Sequence, residues 1–144
     1  MPDRVFNSEL VTKFINTMMY EGQKGKSEAI FYGALNIMAE KLGEDGYESF
    51  QKAMKNAEPQ IEVKSRRVGG VTYQVPVEVY PARKRALAIK WILNAARART
   101  GRSMEQKLAN EFMDIINNTG GTMKKKEEVR KMAEANRAFS HYAW

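Results

Sequence analysis

The chain has 144 residues, 43% of them hydrophobic and 28% charged, which fits a single domain over residues 1–144 and excludes a wholly disordered chain. It holds no cysteine and one histidine, which excludes disulfides, thiolate catalysis and cysteine-ligated zinc. The formal charge of +7 is concentrated: residues 60–102 carry ten basic and two acidic side chains while the rest is close to neutral, the pattern expected of a polyanion binder.

The start, Met1-Pro2-Asp3-Arg4, lacks the basic segment and apolar run of a secretory signal. No apolar stretch reaches the roughly 18 residues that span a bilayer, so a soluble cytosolic protein is expected. Leu10, Phe14, Thr17 and Met18 recur at helical spacing behind a cap at Asn7 or Ser8, predicting a first helix that stops near Gly22. A second is expected from about Ser27 to Gly43, with Ile30, Phe31, Ala34, Leu35, Met38 and Leu42 on one side. A third runs from about Tyr47 to Ala57, turns Phe50, Ala53, Met54 and Ala57 inward, and is ended by Pro59.

The period then changes to two. Ile61 and Val63 alternate with Glu62 and Lys64, and Val71, Tyr73, Val75, Val77 and Val79 alternate with Thr72, Gln74, Pro76 and Glu78. With Gly69-Gly70 between the runs, this predicts a hairpin arm over about 60–80, because both central residues of a type I′ turn need positive φ. Pro76 donates no ladder hydrogen bond and is expected to face outward from its strand. A lone ribbon is marginally stable in water, and Lys64, Arg66 and Arg67 near its tip suit it to lie against something anionic.

After Pro81 the helical period returns. Arg83, Lys90 and Arg97, seven apart, form one stripe flanked by Ile89, Leu93 and Ala96 on one side and Leu87 and Trp91 on the other. This helix is expected to be mostly buried with a basic seam exposed. A fifth helix is predicted from about Ser103 through Leu108, Phe112, Ile115 and Ile116, stopping at Asn117-Asn118-Thr119-Gly120-Gly121. A sixth is predicted from near Lys124, carrying Val129, Met132, Ala133 and Asn136 towards Phe139, Tyr142 and Trp144.

The inventory for catalysis is thin. His141 is the only histidine, no metal or cofactor site is expected, and most carboxylates sit beside Lys or Arg on polar helix faces. The run from Thr119 to Lys124 lacks the spacing of a nucleotide-binding loop and reads as a helix–helix turn. Its glycine amides with Lys124, Lys125 and Lys126 still offer a seat for one RNA phosphate. Basic residues accompanied by Tyr73, Tyr80 and Trp91 suit folded or single-stranded RNA better than duplex DNA. Trp91 is expected in the core, whereas core and RNA readings stand level for the two tyrosines. No helix pairs a strongly basic face with a bulky apolar one, so membrane-surface binding is the weaker alternative.

The stretch EVKSRRVGGVTYQVPVEV, from Glu62 to Val79, closely resembles the hairpin of bacterial small-subunit ribosomal protein number seven. The likeness continues through RALAIKWILNAARAR, KLANEFMDIINNTGG and KMAEANRAFSHYAW, and upstream includes FNSELVTKFINTMMYEG. It implies a mainly α fold, a single-domain bundle of about six helices with a two-stranded hairpin protruding between the third and fourth. It implies a structural, non-catalytic role: primary binding of the 3′ major (head) domain of small-subunit ribosomal RNA, organisation of neighbouring head proteins, and a hairpin near the exit-site transfer RNA and the messenger path. Neither membrane nor small-molecule substrate is implied. The setting would be the cytoplasmic ribosome, an organellar one staying open. By position, Lys64, Arg66 and Arg67 would serve the ribbon surface, Arg83, Lys84, Arg85, Arg97 and Arg99 the helix after it, and Lys124, Lys125 and Lys126 further contacts. Lys24, Lys26, Tyr73, Lys90, Arg102 and Arg137 complete the candidate RNA-binding set. Two departures stand out: before Phe6 the family's usual basic arm is represented by Arg4 alone, and many members continue beyond the position of Trp144. The rival readings are a general nucleic-acid chaperone or helical DNA-binding regulator and, behind it, an enzyme using carboxylates on RNA.

Overall fold

The computed structural model describes every residue except Met1, Pro2, Arg4, Tyr20, Glu21, Arg102, Ala143 and Trp144. Among the described residues the order is α1 (Glu9–Met18), α2 (Lys24–Leu42), α3 (Gly46–Ala57), β1 (Ile61–Val68), β2 (Val71–Glu78), α4 (Pro81–Ala98), α5 (Met104–Ile116) and α6 (Gly120–Ala135), closed by a 3-10 turn (Arg137–Tyr142). The mainly helical architecture with a hairpin between α3 and α4 is the one expected from the sequence.

Local chemistry sets most boundaries. Ser8 caps α1 by accepting from the Val11 amide at 3.2 Å, Asp45 caps α3 through the Tyr47 amide at 2.9 Å, and Ser103 caps α5 through the Gln106 amide at 3.3 Å. Gly43 ends α2 in the left-handed conformation, at φ 67°. Five expectations are corrected. Helix α1 stops at Met18, short of Gly22, and Thr17 faces solvent while Val11, Phe14, Ile15 and Met18 turn inward. Helix α2 begins at Lys24 because Ser27 is no cap: it is buried, and its hydroxyl donates to the Ile15 carbonyl of α1 at 2.7 Å. Helix α6 begins at Gly120, so Gly120-Gly121 belong to its first turn and not to a connecting loop. Met132 is 45% exposed, leaving Val129 and Ala133 as the inward residues of that helix.

The main core joins α1 to α5. Phe14, Phe31, Phe50 and Phe112 lie fully buried at its centre, with ring centroids 5.0 to 5.7 Å apart in tilted and edge-on pairs. A second, smaller cluster of Val79, Leu87, Trp91 and Val129 ties the end of β2 to α4 and α6. Trp91, 7% exposed, belongs to it as expected.

The hairpin closes on Gly69 and Gly70 at φ 59° and 82°, the positive pair a two-residue turn demands. Val68 faces Val71, so Val63–Pro76 falls at a non-hydrogen-bonded position and the missing Pro76 donor costs nothing in the ladder. The register also divides the strands in a way their separate alternation did not show. Directly opposed residues share a face, which places Glu62, Lys64 and Arg66 with Val77, Val75 and Tyr73, and Ile61, Val63 and Arg67 with Glu78, Pro76 and Thr72. Helix α6 packs on the base of the ribbon and the 3-10 turn on β2, while the tip is exposed.

Candidate nucleic-acid interface

Helix α4 is built as a buried rod with one seam open. Pro81 starts it at a position where a missing amide is harmless. Ile89, Ile92, Leu93 and Ala96 pack into the main core, Leu87 and Trp91 enter the second cluster, and Arg83, Lys90 and Arg97 remain exposed in the arc between. The apolar neighbours on either side hold the stripe's direction, so the spacing read from the sequence is realised as a surface.

The ribbon joins this seam at Arg83. Its Nε and Nη2 donate to the two carboxylate oxygens of Glu62 on β1, at 3.3 and 3.2 Å. Beside it, Lys84 Nζ donates to Gln60 Oε1 at 2.9 Å. Glu62 is almost wholly buried, whereas the Arg83 side chain is 55% exposed, so the bidentate pair fixes the strand to the helix while much of the arginine stays open to solvent. Lys64 and Arg83 line one hollow, which makes the ribbon and the α4 seam contiguous in space as well as in sequence.

The other candidates separate into groups. On the ribbon, Lys64 and Arg67 are exposed but point to opposite faces. Arg66 lies opposite Tyr73, whose ring packs against Phe139 of the 3-10 turn at 4.9 Å, so Tyr73 is in part a packing residue. Arg85 is exposed about 200° around α4 from Arg83, too far to join the seam. It faces α1 across a groove lined by Glu9, Leu10 and Lys13, a cation that the sequence reading did not single out. Lys24 and Lys26 are exposed in the first turn of α2, which packs on α1, α3 and α5. Arg137 is exposed with a 3.4 Å ion pair to Glu134, and Arg102 lies outside the described residues.

Arg99 and the start of α6 form one network. Arg99 Nη1 donates to Glu111 Oε1 at 2.8 Å and pairs with Asp114 Oδ2 at 2.9 Å. Glu111 is fully buried, and its Oε2 accepts from the amide of Thr122 at 3.0 Å and from its hydroxyl at 2.7 Å. Burial alone would lower the Arg99 pKa, but the bonds to Asp114 and Glu111 outweigh it and raise it. The carboxylate of Glu111 thus occupies the end of α6 that was expected to receive a phosphate, because a helix N-terminus attracts whichever anion is built nearest. Gly120 takes φ 88° there, and a Cβ on it would meet Asp114 at 2.9 Å. Lys124 and Lys125 are exposed in the next turn, while Lys126 donates to the Asn56 carbonyl at 2.7 Å. Burial lowers the Lys126 pKa, against the opposing pull of Glu58. The sequence carried one signal for this network: Glu111 falls on the inward arc of α5, next to Leu108, Phe112 and Ile115.

Among the described residues no group of three or more His, Asp or Glu side chains is placed to hold a metal ion, and His141 is exposed. The interface offers cations, hydroxyls and a few rings, groups with the chemistry to hold a polyanion.

Residues 1–137 match the family model described as Ribosomal protein S7p/S5e. Among curated proteins, the chain is 57% identical to the small ribosomal subunit protein uS7 of Natranaerobius thermophilus, over 99% of this chain and 92% of the relative. It is also 57% identical to uS7 of Carboxydothermus hydrogenoformans, over 100% and 92%, and 54% identical to uS7 of Leptospira biflexa, over 99% and 90%.

Proposed function

Because the chain belongs to the ribosomal protein S7p/S5e family, whose members are structural and non-enzymatic constituents of the small ribosomal subunit, we propose that it docks the head (3′ major) domain of small-subunit ribosomal RNA through the seam of α4 and the adjoining ribbon. The observation that carries this reading is the contiguity of Lys64, Arg83, Lys90 and Arg97: one cationic track, held in direction by buried neighbours on both sides. Phosphate neutralisation along that track supplies most of the affinity, and the irregular shape of the RNA supplies the discrimination.

Within this reading residues 1–144 act as one ribosomal domain, and the roles of the candidates differ. Lys64, Arg67, Lys90 and Arg97 meet phosphates directly, with Arg66 and Tyr73 on the ribbon face beside the 3-10 turn. Arg85 with Lys13 forms a flanking contact, Lys24, Lys26, Lys124, Lys125 and Arg137 are outer contacts, and Arg102 is a further RNA-binding residue. Arg83, Lys84, Arg99 and Lys126, each engaged by a protein acceptor, first hold the scaffold that presents the others. The ribbon tip reaches towards exit-site transfer RNA and messenger, and the remaining surface receives neighbouring head proteins. The relatives are bacterial, which supports a cytoplasmic ribosome as the setting.

Footprinting on naked small-subunit ribosomal RNA tests the proposal: protection confined to the 3′ major domain, reduced when Lys90 and Arg97 are replaced by Ala, is the expected result. Equal affinity for head-domain RNA and for duplex DNA of matched length would instead support a general nucleic-acid chaperone or DNA-binding regulator.

A further inference from the structure

Where the ribbon runs into α4, Val79 and Tyr80 are treated oppositely. Val79 is 2% exposed in the second cluster, whereas Tyr80 is 72% exposed. The backbone there is fixed on both sides. The Val79 amide donates to the Gln60 carbonyl at 3.3 Å, and the Tyr80 carbonyl accepts from the Lys84 amide at 2.9 Å. Pro81 confines Tyr80 to the extended conformation observed, φ −79° and ψ 159°. A large ring is therefore held in solvent at a rigid point, at little entropic cost to any partner that covers it.

Tyr80 borders the hollow of about 420 Å³ that Lys64 and Arg83 share with Glu62, Pro76, Val77 and Glu78. Its two cations and two carboxylates balance, so a phosphate at Lys64 leaves the rest of the hollow to be filled by a group that is not an anion. A nucleobase fits the chemistry, having an apolar face for Tyr80 and the half-buried Val77 and a polar edge for the charged rim. Both oxygens of Glu62 are engaged by Arg83. Glu78 is exposed and has no ion pair among the described residues. A carboxylate accepts from an exocyclic amine, as in readout of cytosine N4, whereas uracil presents only a ring N–H between two carbonyls that repel the carboxylate.

We propose that this hollow, at the edge of β2, seats one unpaired, amino-bearing base of the bound RNA, stacked on Tyr80, with its amine donating to Glu78 from one face of the ribbon and its phosphate reaching Lys64 on the other. The inference rests on the RNA-binding reading above and adds a contact that reads base identity to a surface otherwise reading charge.

The test uses the full chain and a transcript of the 3′ major domain, comparing wild type with Tyr80→Ala, Tyr80→Phe and Glu78→Gln. Tyr80→Ala should weaken binding about 5- to 150-fold, the range that base–aromatic stacking supplies, and leave the salt dependence unchanged because no cation is lost. Tyr80→Phe should bind within about threefold of wild type, since the ring is kept. Chemical probing of Watson–Crick edges should show one unpaired adenine, cytosine or guanine protected by wild type and re-exposed by Tyr80→Ala, with Glu78→Gln weakening that protection. Wild-type affinity and an unchanged footprint for Tyr80→Ala, or protection of a uracil, would overturn the seat while leaving the cationic track intact. A wild-type chain that ignores the transcript would overturn the RNA reading and the seat together.

Discussion

Replacing Glu111 by Ala isolates the network that orients α6 and Arg99. Three hydrogen bonds end on this fully buried carboxylate: 2.8 Å from Arg99, and 3.0 and 2.7 Å from the amide and hydroxyl of Thr122. Bonds to a charged group contribute about 1.5 to 3 kcal/mol each, and the two Thr122 donors would be left buried without their acceptor. Arg99 retains Asp114 at 2.9 Å, and its side chain is 29% exposed, so its share is discounted to less than about 1 kcal/mol. Taking the low end for each Thr122 bond, the loss is about 3 to 4 kcal/mol, which for a chain of this size lowers Tm by roughly 10 °C. Urea and thermal denaturation measure it, with the exposed Glu128→Ala as a control expected within about 0.5 kcal/mol of wild type. A loss below about 1 kcal/mol for Glu111→Ala would refute the assignment of this carboxylate as the anchor of α6.

Lys90→Ala and Arg99→Ala should separate. The first weakens RNA binding with stability within about 0.5 kcal/mol of wild type, and the second lowers stability by disturbing the carboxylate pair. Equal effects on both readouts would contradict the division between track and scaffold. Asp3 accepts from the amides of Val5, Phe6 and Ser8 and from the Tyr32 hydroxyl, and although burial raises its pKa, these bonds lower it below the ordinary value. Folding thus favours its ionised form: the stabilisation is complete above the unfolded pKa of about 3.9 and is lost as pH falls through the lower folded value. Asp3→Asn should flatten that acid limb in urea midpoints measured from pH 5 down to pH 2. Gly70→Ala places a side chain at φ 82° and should loosen the ribbon by about 1 kcal/mol, seen as faster amide exchange in β1 and β2 with Tm barely changed.

Features set by short-range chemistry were legible in the sequence. The Gly69-Gly70 turn, the start of α4 at Pro81, the end of α2 at Gly43 and the open stripe of Arg83, Lys90 and Arg97 each follow from a local rule, and the structure shows all four. Features set by a distant partner were not. Ser27 has the chemistry of a cap, but the Ile15 carbonyl claims its hydroxyl. Gly120-Gly121 have the composition of a turn, yet Glu111 satisfies the helix start and Gly121 lets α4 approach, a Cβ there lying 3.0 Å from that of Ala95. The opposite faces of Lys64 and Arg67 follow from the register that the two-residue turn fixes, which the alternation of neither strand alone contains. Arg99 counts as one more cation in a basic run until the fold brings Glu111 and Asp114 beside it.

The central claim is that several cations on one track engage ribosomal phosphates together, and the salt dependence of binding to the 3′ major domain transcript measures it most directly. The slope of log affinity against log salt should correspond to four or more phosphates, at about 0.7 to 0.9 per contact, and Lys90→Ala with Arg97→Ala should reduce it by roughly 1.4 to 1.8. A slope worth only one or two contacts, or one that the double substitution leaves unchanged, would contradict it.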